Sequence, residues 1–259
     1  MTHYILAYDK ISHGEDFQLK LRVSDLFSGP FDPALAAWLQ RYDSPIELLN
    51  ALADLFAKLN EQRILGDVRE FVSITGPVHI GKGSVIHPGV TIDGPVIIGD
   101  NVSVRSHAQI RKMTFIGSDS VIGHGADIKA SLCLNSAKIQ DGTFVGESIV
   151  GYSARIGSGA ILANRKFNQS DIRVQDADGT LVSSGREFLG SILGDYVRIG
   201  ANCVLSPGTI IGPHTWVGSG LVLLGTYPAD VFITAKQELE VRPKERVMLR
   251  SGKGEYETV

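Results

Sequence analysis

The sequence has little that would hold a small extracellular protein together from outside its core. Two cysteines, Cys133 and Cys203, are all that 259 residues offer. Both sit in apolar contexts (SLCLN and ANCVLS) that suit buried free thiols in a reducing compartment, not a disulfide or a metal pair. Aromatic residues make up only 7%, and no run of about 18 apolar residues is present to span a bilayer. Neither sign of charge dominates: 25 Lys and Arg against 28 Asp and Glu leave a net charge of −3. No general basic field therefore exists to gather nucleic acid or an anionic membrane surface. The opening residues, MTHYILAYDKISHGED, lack a basic segment followed by an apolar run and a small-residue cleavage site. The expectation is a cytoplasmic protein with neither nucleic acid nor membrane among its partners. With 43% hydrophobic residues, the chain still has ample apolar content for a real core.

Glycine is what the chain has in excess. There are 29, about 11% against a usual ~7%, yet only Gly14, Gly29 and Gly66 fall in the first 66 residues. The character of the chain changes there. From Val68, every sixth residue is Ile or Val: Val68, Ile74, Ile80, Ile86, Ile92, Ile98, Val104, Ile110, Ile116, Ile122 and Ile128. Four residues after each come Val72, Val78, Ser84, Val90, Val96, Val102, Ala108, Thr114, Ser120, Ala126 and Leu132, nearly all small or branched.

This period is neither the 3.6 of a helix nor the 2 of a hairpin strand. A fixed period of six with Gly after many of the aliphatics is the signature of a hexapeptide-repeat β-helix. Each hexad makes a short strand and a corner, with the aliphatic inside and the small residue filling the taper. Three hexads close one coil. The period slips near Cys133, runs through Ile139 and Val145, slips again to Val150, and continues to Ile156 and Leu162. It resumes from Leu193 through Ile199, Leu205, Ile211, Val217 and Leu223, giving roughly seven coils. Between 166 and 191 the repeat is absent, and IRVQDADGTLVSS, with Asp-Gly between two β-prone runs, reads as a hairpin projecting from the solenoid.

Before the repeats, DPALAAWLQRY and SPIELLNALADLFAKLNEQ carry Asp and Ser caps, Pro at the first helical position and apolar spacings of three and four. Two helices, 32–42 and 44–62, are predicted to cover the open N-terminal end of the solenoid, whose edge needs such a lid. The division expected is an N-terminal α-helical cap region (1–66), a hexapeptide-repeat β-helix (67–228, inserted loop 166–191) and a C-terminal extension (229–259).

The segments VIGHGADIKAS (121–131), FVGESIVGYSARIGSGAILAN (144–164), SGREFLGSILGD (184–195) and TYPADVFITAKQELEV (226–241) resemble, in this order, the C-terminal acetyltransferase half of bifunctional sugar-1-phosphate nucleotidyltransferase/amino-sugar-1-phosphate N-acetyltransferases. The resemblance covers residues of about 20–245 and implies a mainly β fold, a left-handed parallel β-helix of the hexapeptide-repeat acyltransferase superfamily. It further implies a homotrimer with its site between neighbouring solenoids, acetyl-CoA as acyl donor, and an amino-sugar phosphate or nucleotide sugar as acceptor. No Gly-rich phosphate loop with a following Lys precedes the repeats, so a nucleotidyltransferase activity would come from a separate protein.

Carried over by position, the resemblance places Arg111 and Lys129 on the substrate phosphate and Asn164 beside the acyl donor. The family's His-x-x-Tyr, which holds its general base, falls on Asp141-Gly-Thr-Phe144. Asp141 thus stands where the base is expected, with His124 as the alternative. Arg155 and Arg165 occupy positions that are usually Asn and Tyr or Leu. With Lys166 and Arg186 they form a sequence-local basic group that fits either a solvated face or a phosphate pocket, with Arg186 placed on the cofactor side. A competing reading is a catalytically inactive relative that binds a sugar nucleotide as a regulator or scaffold. His87, His107 and His124 lie on hexads, similar to the zinc-binding histidines of γ-type carbonic anhydrases. Lys129-Ala130 stands where the next ligand would be, so these are read as separate surface histidines with no metal.

Overall fold

The computed structural model describes residues 21–176, 179–242, 248–250 and 256–258; the opening residues and most of the charged C-terminal segment lie outside these. The repeat region winds as a three-sided parallel β-solenoid. Face I holds nine strands from Arg63–Ile64 to Thr226–Tyr227, face II nine from Asp67–Val68 to Phe232–Ile233, and face III eight from Ser73–Thr75 to Val222–Leu223. About nine turns result where seven were expected, because strands form on both sides of the strict period, at Arg63–Ile64 and at Phe232–Ile233.

The six-residue period becomes three interior columns. On face I, Ile80, Ile98, Ile116, Cys133, Val150, Leu193 and Ile211 stack in register. On face II the column includes Ile86, Val104, Ile122, Ile139, Ile156 and Ile199. On face III it includes Ile92, Ile110, Ile128, Val145, Leu162 and Leu205. These side chains form one continuous buried core, and like stacked on like fills each layer to the same height. The small residues four positions on are buried at corners, as Ser84, Val90, Ala108 and Ala126 show.

Both slips of the period sit at the corner from face III to face I. There the chain turns with one residue fewer, through Ala130 (φ 45°) and Glu147 (φ 43°), so that Cys133 and Val150 still enter the face I column. Cys133 is fully enclosed, and burial pushes its thiol up to about 12. Both cysteines are free and buried, as their apolar contexts predicted.

The N-terminal helices are shorter than expected and sit elsewhere. After a single turn, α1 (Val23–Leu26), come α2 (Pro33–Leu39) and α3 (Pro45–Asn50). The Asp32 side chain accepts from the Ala34 and Leu35 amides, and Ser44 forms a capping box with Glu47. Instead of continuing to 62, the second predicted helix tightens into a 3-10 segment, Ala51–Phe56. None of these elements caps the N-terminal end. Leu26, Leu35, Trp38, Leu39, Leu48, Leu49, Leu52 and Phe56 pack along face I, against its outward residues Leu132, Ile149, Ile192 and Ile210 with Ile97 and Phe115. The reason is compositional. On face I the residue preceding the interior position is large and apolar on six successive strands, from Ile97 to Ile210, and such a row needs burial along the side of the solenoid.

The buried carboxylate of Asp195 fastens this cover. It accepts the Ser28 and Tyr152 amides, both at 2.7 Å, while its own amide donates to the Leu26 carbonyl at 2.9 Å. Burial raises its pKa, and the amide hydrogen bonds partly offset this.

The insertion contains the predicted hairpin, Arg173–Gln175 paired antiparallel with Leu181–Ser183. Its turn includes Gly179 at φ +87°, a left-handed conformation that suits glycine. It does not project. Ile172 and Val174 are fully buried in the same cluster as the helices, and the Thr226 hydroxyl donates to the Gln175 carbonyl. No described helix is long and apolar enough to cross a membrane.

Candidate functional site

Face III and the corner leading from it to face I gather three of the expected residues. Arg111 and Lys129 occupy the same outward column on neighbouring strands, since Ile110 pairs with Ile128, and Gly146 is next in that column. Arg111 makes a two-pronged contact with Asp127 through Nε (2.9 Å) and its Nη2 (3.0 Å). The edge carrying Nη1 remains for another anion. Lys129 Nζ lies 3.2 Å from Glu147 Oε1. The other oxygen of that carboxylate accepts from Asn164 Nδ2.

Glu147 therefore joins Lys129 to Asn164, with its side chain only 11% exposed. It is held from the backbone as well, because its amide donates to the Lys129 carbonyl at 3.0 Å and its carbonyl accepts the Gly190 amide at 2.9 Å. This crossing of chains is close enough to require glycine. A Cβ on Gly190 would lie 2.1 Å from the Gly146 carbonyl oxygen. The Asn164 amide lies over Gly146, where a Cβ would come within 2.7 Å of Nδ2.

From the insertion, Phe188 closes over this cluster. Its ring centroid is 5.4 Å from Lys129 Nζ and 5.0 Å from the Arg165 guanidinium carbon, a range in which cations are held over ring faces. Arg186 is committed to the fold, donating to the Phe188 carbonyl (3.0 Å) and to Asn50 Oδ1 (2.6 Å). Burial lowers its pKa, and the Glu147 charge works against that shift. It therefore braces the insertion against α3.

The two base candidates meet at the opposite corner of face III. The His124 amide donates to Asp141 Oδ1 at 2.9 Å, and Arg105 Nη1 lies 3.9 Å from the same oxygen. Asp141 carries a side chain 53% exposed. The His124 ring is exposed and meets His107 edge-to-face at 5.5 Å. Strand Phe144–Gly146 separates this corner from Glu147. Among the described residues no three His, Cys, Asp or Glu side chains form a metal-holding group.

Arg155 lies elsewhere, on face II, paired with Lys138 and Arg198 on the adjacent strands. The expected basic group of Arg155, Arg165, Lys166 and Arg186 is therefore divided. Lys166 donates to the Asp171 carbonyl within the insertion. Sequence reasoning missed Glu147, Asp127 and Phe188. For Glu147 a signal existed, a charged residue at a shortened corner beside the glycine of FVGES.

Residues 92–217 match the family described as GMPPB C-terminal domain. The chain is 29% identical over 202 residues to the Bifunctional protein GlmU of Methanococcus aeolicus, covering 78% of this chain and 48% of that protein. It is 32% identical over 159 residues to a bifunctional sugar-1-phosphate nucleotidylyltransferase/acetyltransferase of Sulfurisphaera tokodaii, covering 61% and 39%. It is also 29% identical over 210 residues to the uncharacterized acetyltransferase YaiX of Escherichia coli O6:K15:H31, covering 80% and 90%. The chain thus spans about half the length, or less, of the bifunctional relatives and nearly all of the third. The resemblance drawn from the motifs holds: this chain is similar to the C-terminal half of bifunctional sugar-1-phosphate nucleotidyltransferase/acetyltransferases.

Proposed function

We propose that this protein is a coenzyme A-dependent N-acyltransferase, with acetyl the group carried, acting on an amino-sugar phosphate or a nucleotide sugar at a site between subunits of a homotrimer. The observation that carries this reading is the Glu147 bridge. One buried carboxylate ties Lys129, the position expected to hold the acceptor's phosphate, to Asn164, the position expected to lie beside the acyl donor. Holding both groups from a single rigid corner fixes their separation, which is how a two-substrate site gains from proximity. Arg111, its guanidinium oriented by Asp127, offers its open edge to the same phosphate.

Acetyl-CoA supplies the activated acyl carbon when bound. The residues present suit it: Asn164 gives its Nδ2 to Glu147, leaving its carbonyl oxygen to accept from a donor amide, and Gly146 leaves room for that side chain to lie flat. In the reaction the acceptor's amine forms a C–N bond to the acyl carbon, the C–S bond breaks, and coenzyme A leaves as its thiol. The amine's proton passes to Asp141, whose Oδ2 is not used by the His124 amide, or to the imidazole of His124 at the same corner, and the base then gives it up to the departing coenzyme A sulfur. Arg165, held at the Phe188 ring that also meets Lys129, is expected on the acceptor, whereas Arg155 lies on face II, away from this cluster.

A second reading is favoured by one observation. Asp141 already caps the neighbouring corner, and Phe144 carries no hydroxyl, which suits a relative that binds a sugar nucleotide without turnover. Following free thiol from acetyl-CoA with a panel of amino-sugar phosphates separates the two. Release with at least one acceptor supports transfer; calorimetric binding of a sugar nucleotide without thiol release supports the second. Sedimentation should give a mass near three times 27.9 kDa, and a mass of one chain at micromolar concentration contradicts the shared site.

A further inference from the structure

On face II the outward residues of five successive strands are Lys138, Arg155, Arg198, Trp216 and Phe232, each in register with the next. Their partners one residue on, Ile139, Ile156, Ile199, Val217 and Ile233, belong to or pack on the core, so the five side chains share one outer face. Neighbouring strands lie about 4.8 Å apart. Three cations are thus stacked over roughly 10 Å. Like charges set directly opposite on adjacent strands destabilise a sheet.

Among the described residues no carboxylate pairs with any of the three. Arg198 Nη1 donates only to the Ser153 and Val197 carbonyls, which orient the guanidinium without neutralising it. In a chain of net charge −3, such a ladder is not a by-product of composition. Beside it, Trp216 and Phe232 are 60% and 66% exposed, although apolar surface of that size is normally buried.

We propose that face II binds a nucleoside diphosphate group, with its two phosphates on Arg155 and Arg198, Lys138 beside the terminal phosphate, and its base stacked on Trp216. The spacing fits the chemistry. Guanidinium forks pair with phosphate oxygens in two-pronged fashion. One strand further, the indole face offers a base–aromatic stack that accepts any base. Partial burial and, after it, the neighbouring charge of Arg155 lower the pKa of Arg198, and the negative charge of a bound phosphate offsets that repulsion. This site stands apart from the Lys129–Glu147–Asn164 cluster and requires no acyl transfer. A nucleotide sugar and coenzyme A both contain the group, as a pyrophosphate joined to a nucleoside.

The test is titration of the full-length protein at low salt with UDP, GDP and ADP, read by calorimetry and by tryptophan emission. Trp216 is the exposed indole and Trp38 is buried, so quenching reports Trp216. Saturable binding is expected, weakened about tenfold to a hundredfold by Lys138→Gln with Arg155→Gln. In Trp216→Leu the quench should be lost and affinity reduced. Lys138→Gln alone, on an exposed side chain, keeps the test available should the double variant fail to fold. UDP-sugars and coenzyme A, compared in the same way, identify which source of the group is preferred. No saturable binding up to about 1 mM, or binding unaffected by the double variant, overturns the proposal. It is also overturned if the double variant lowers the oligomer's mass while leaving nucleotide affinity intact, since the ladder would then belong to a contact between copies.

Discussion

Turnover in Asp141→Asn should fall by about two to four orders of magnitude, with the acceptor's KM little changed. Asparagine keeps an oxygen where Asp141 Oδ1 now accepts the His124 amide, so the corner stays capped and only the capacity to take a proton is lost. A drop in kcat with unchanged thermal midpoint is the expected pattern. Should Asp141→Asn retain full turnover while His124→Ala removes it, the proton goes to the imidazole at the same corner. Arg111→Ala should show the opposite split. The loss of a charge-assisted phosphate contact, about 1.5–3 kcal/mol, raises KM and leaves kcat within a few-fold.

Ile128→Ala should cost about 2–5 kcal/mol of stability, a large share of the 5–15 kcal/mol typical of a folded domain. Ile128 is fully enclosed and lies between Ile110 and Val145 in the face III column. Its neighbours are fixed by in-register strands above and below, which limits their collapse into the cavity. The strand that carries it also carries Asp127 and Lys129, so loss of acceptor binding should accompany the shift in denaturation midpoint. Because a solenoid's coils contact mainly their neighbours, a broadened transition is expected along with the lower midpoint. A change below about 0.5 kcal/mol, the size usual for a surface substitution, would contradict the stacked column.

The interior was legible because every sixth residue returns to the axis, so Ile80, Ile86 and Ile92 could be assigned to successive faces from spacing alone. The outer surface was less so. The apolar spacing in α2 and α3 says that those helices are half-buried but not against what. The information lay in Ile97, Phe115, Leu132, Ile149, Ile192 and Ile210, each one residue before an interior position on face I. On the other two faces polar or charged residues such as Ser103, Lys138, Gln109 and Asp127 interrupt the corresponding rows.

Grouping Arg155 with Arg165 and Arg186 failed for a related reason. Residues ten or thirty apart in a solenoid point from different faces, whereas residues one coil apart, such as Arg111 and Lys129, meet. The register of Arg155 with Arg198 was hidden by the inserted loop between them. Glu147 went unrecognised because its partners, Lys129 and Asn164, lie one coil to either side. Its own corner is one of the two that break the period. The places where the repeat falters are where the chain departs from a simple tube: two tight corners, then the insertion that brings Phe188 over the lysine.

The most direct measurement is a time course in which free coenzyme A thiol and N-acetylated acceptor are quantified together, with the purified protein, acetyl-CoA and amino-sugar phosphates or nucleotide sugars. Equal amounts of thiol and acetylated acceptor, appearing with at least one acceptor and suppressed in Asp141→Asn or His124→Ala, are the result expected of an N-acetyltransferase. Thiol release no faster than without protein for every acceptor, from a sample that binds sugar nucleotide and sediments as a trimer, would contradict it.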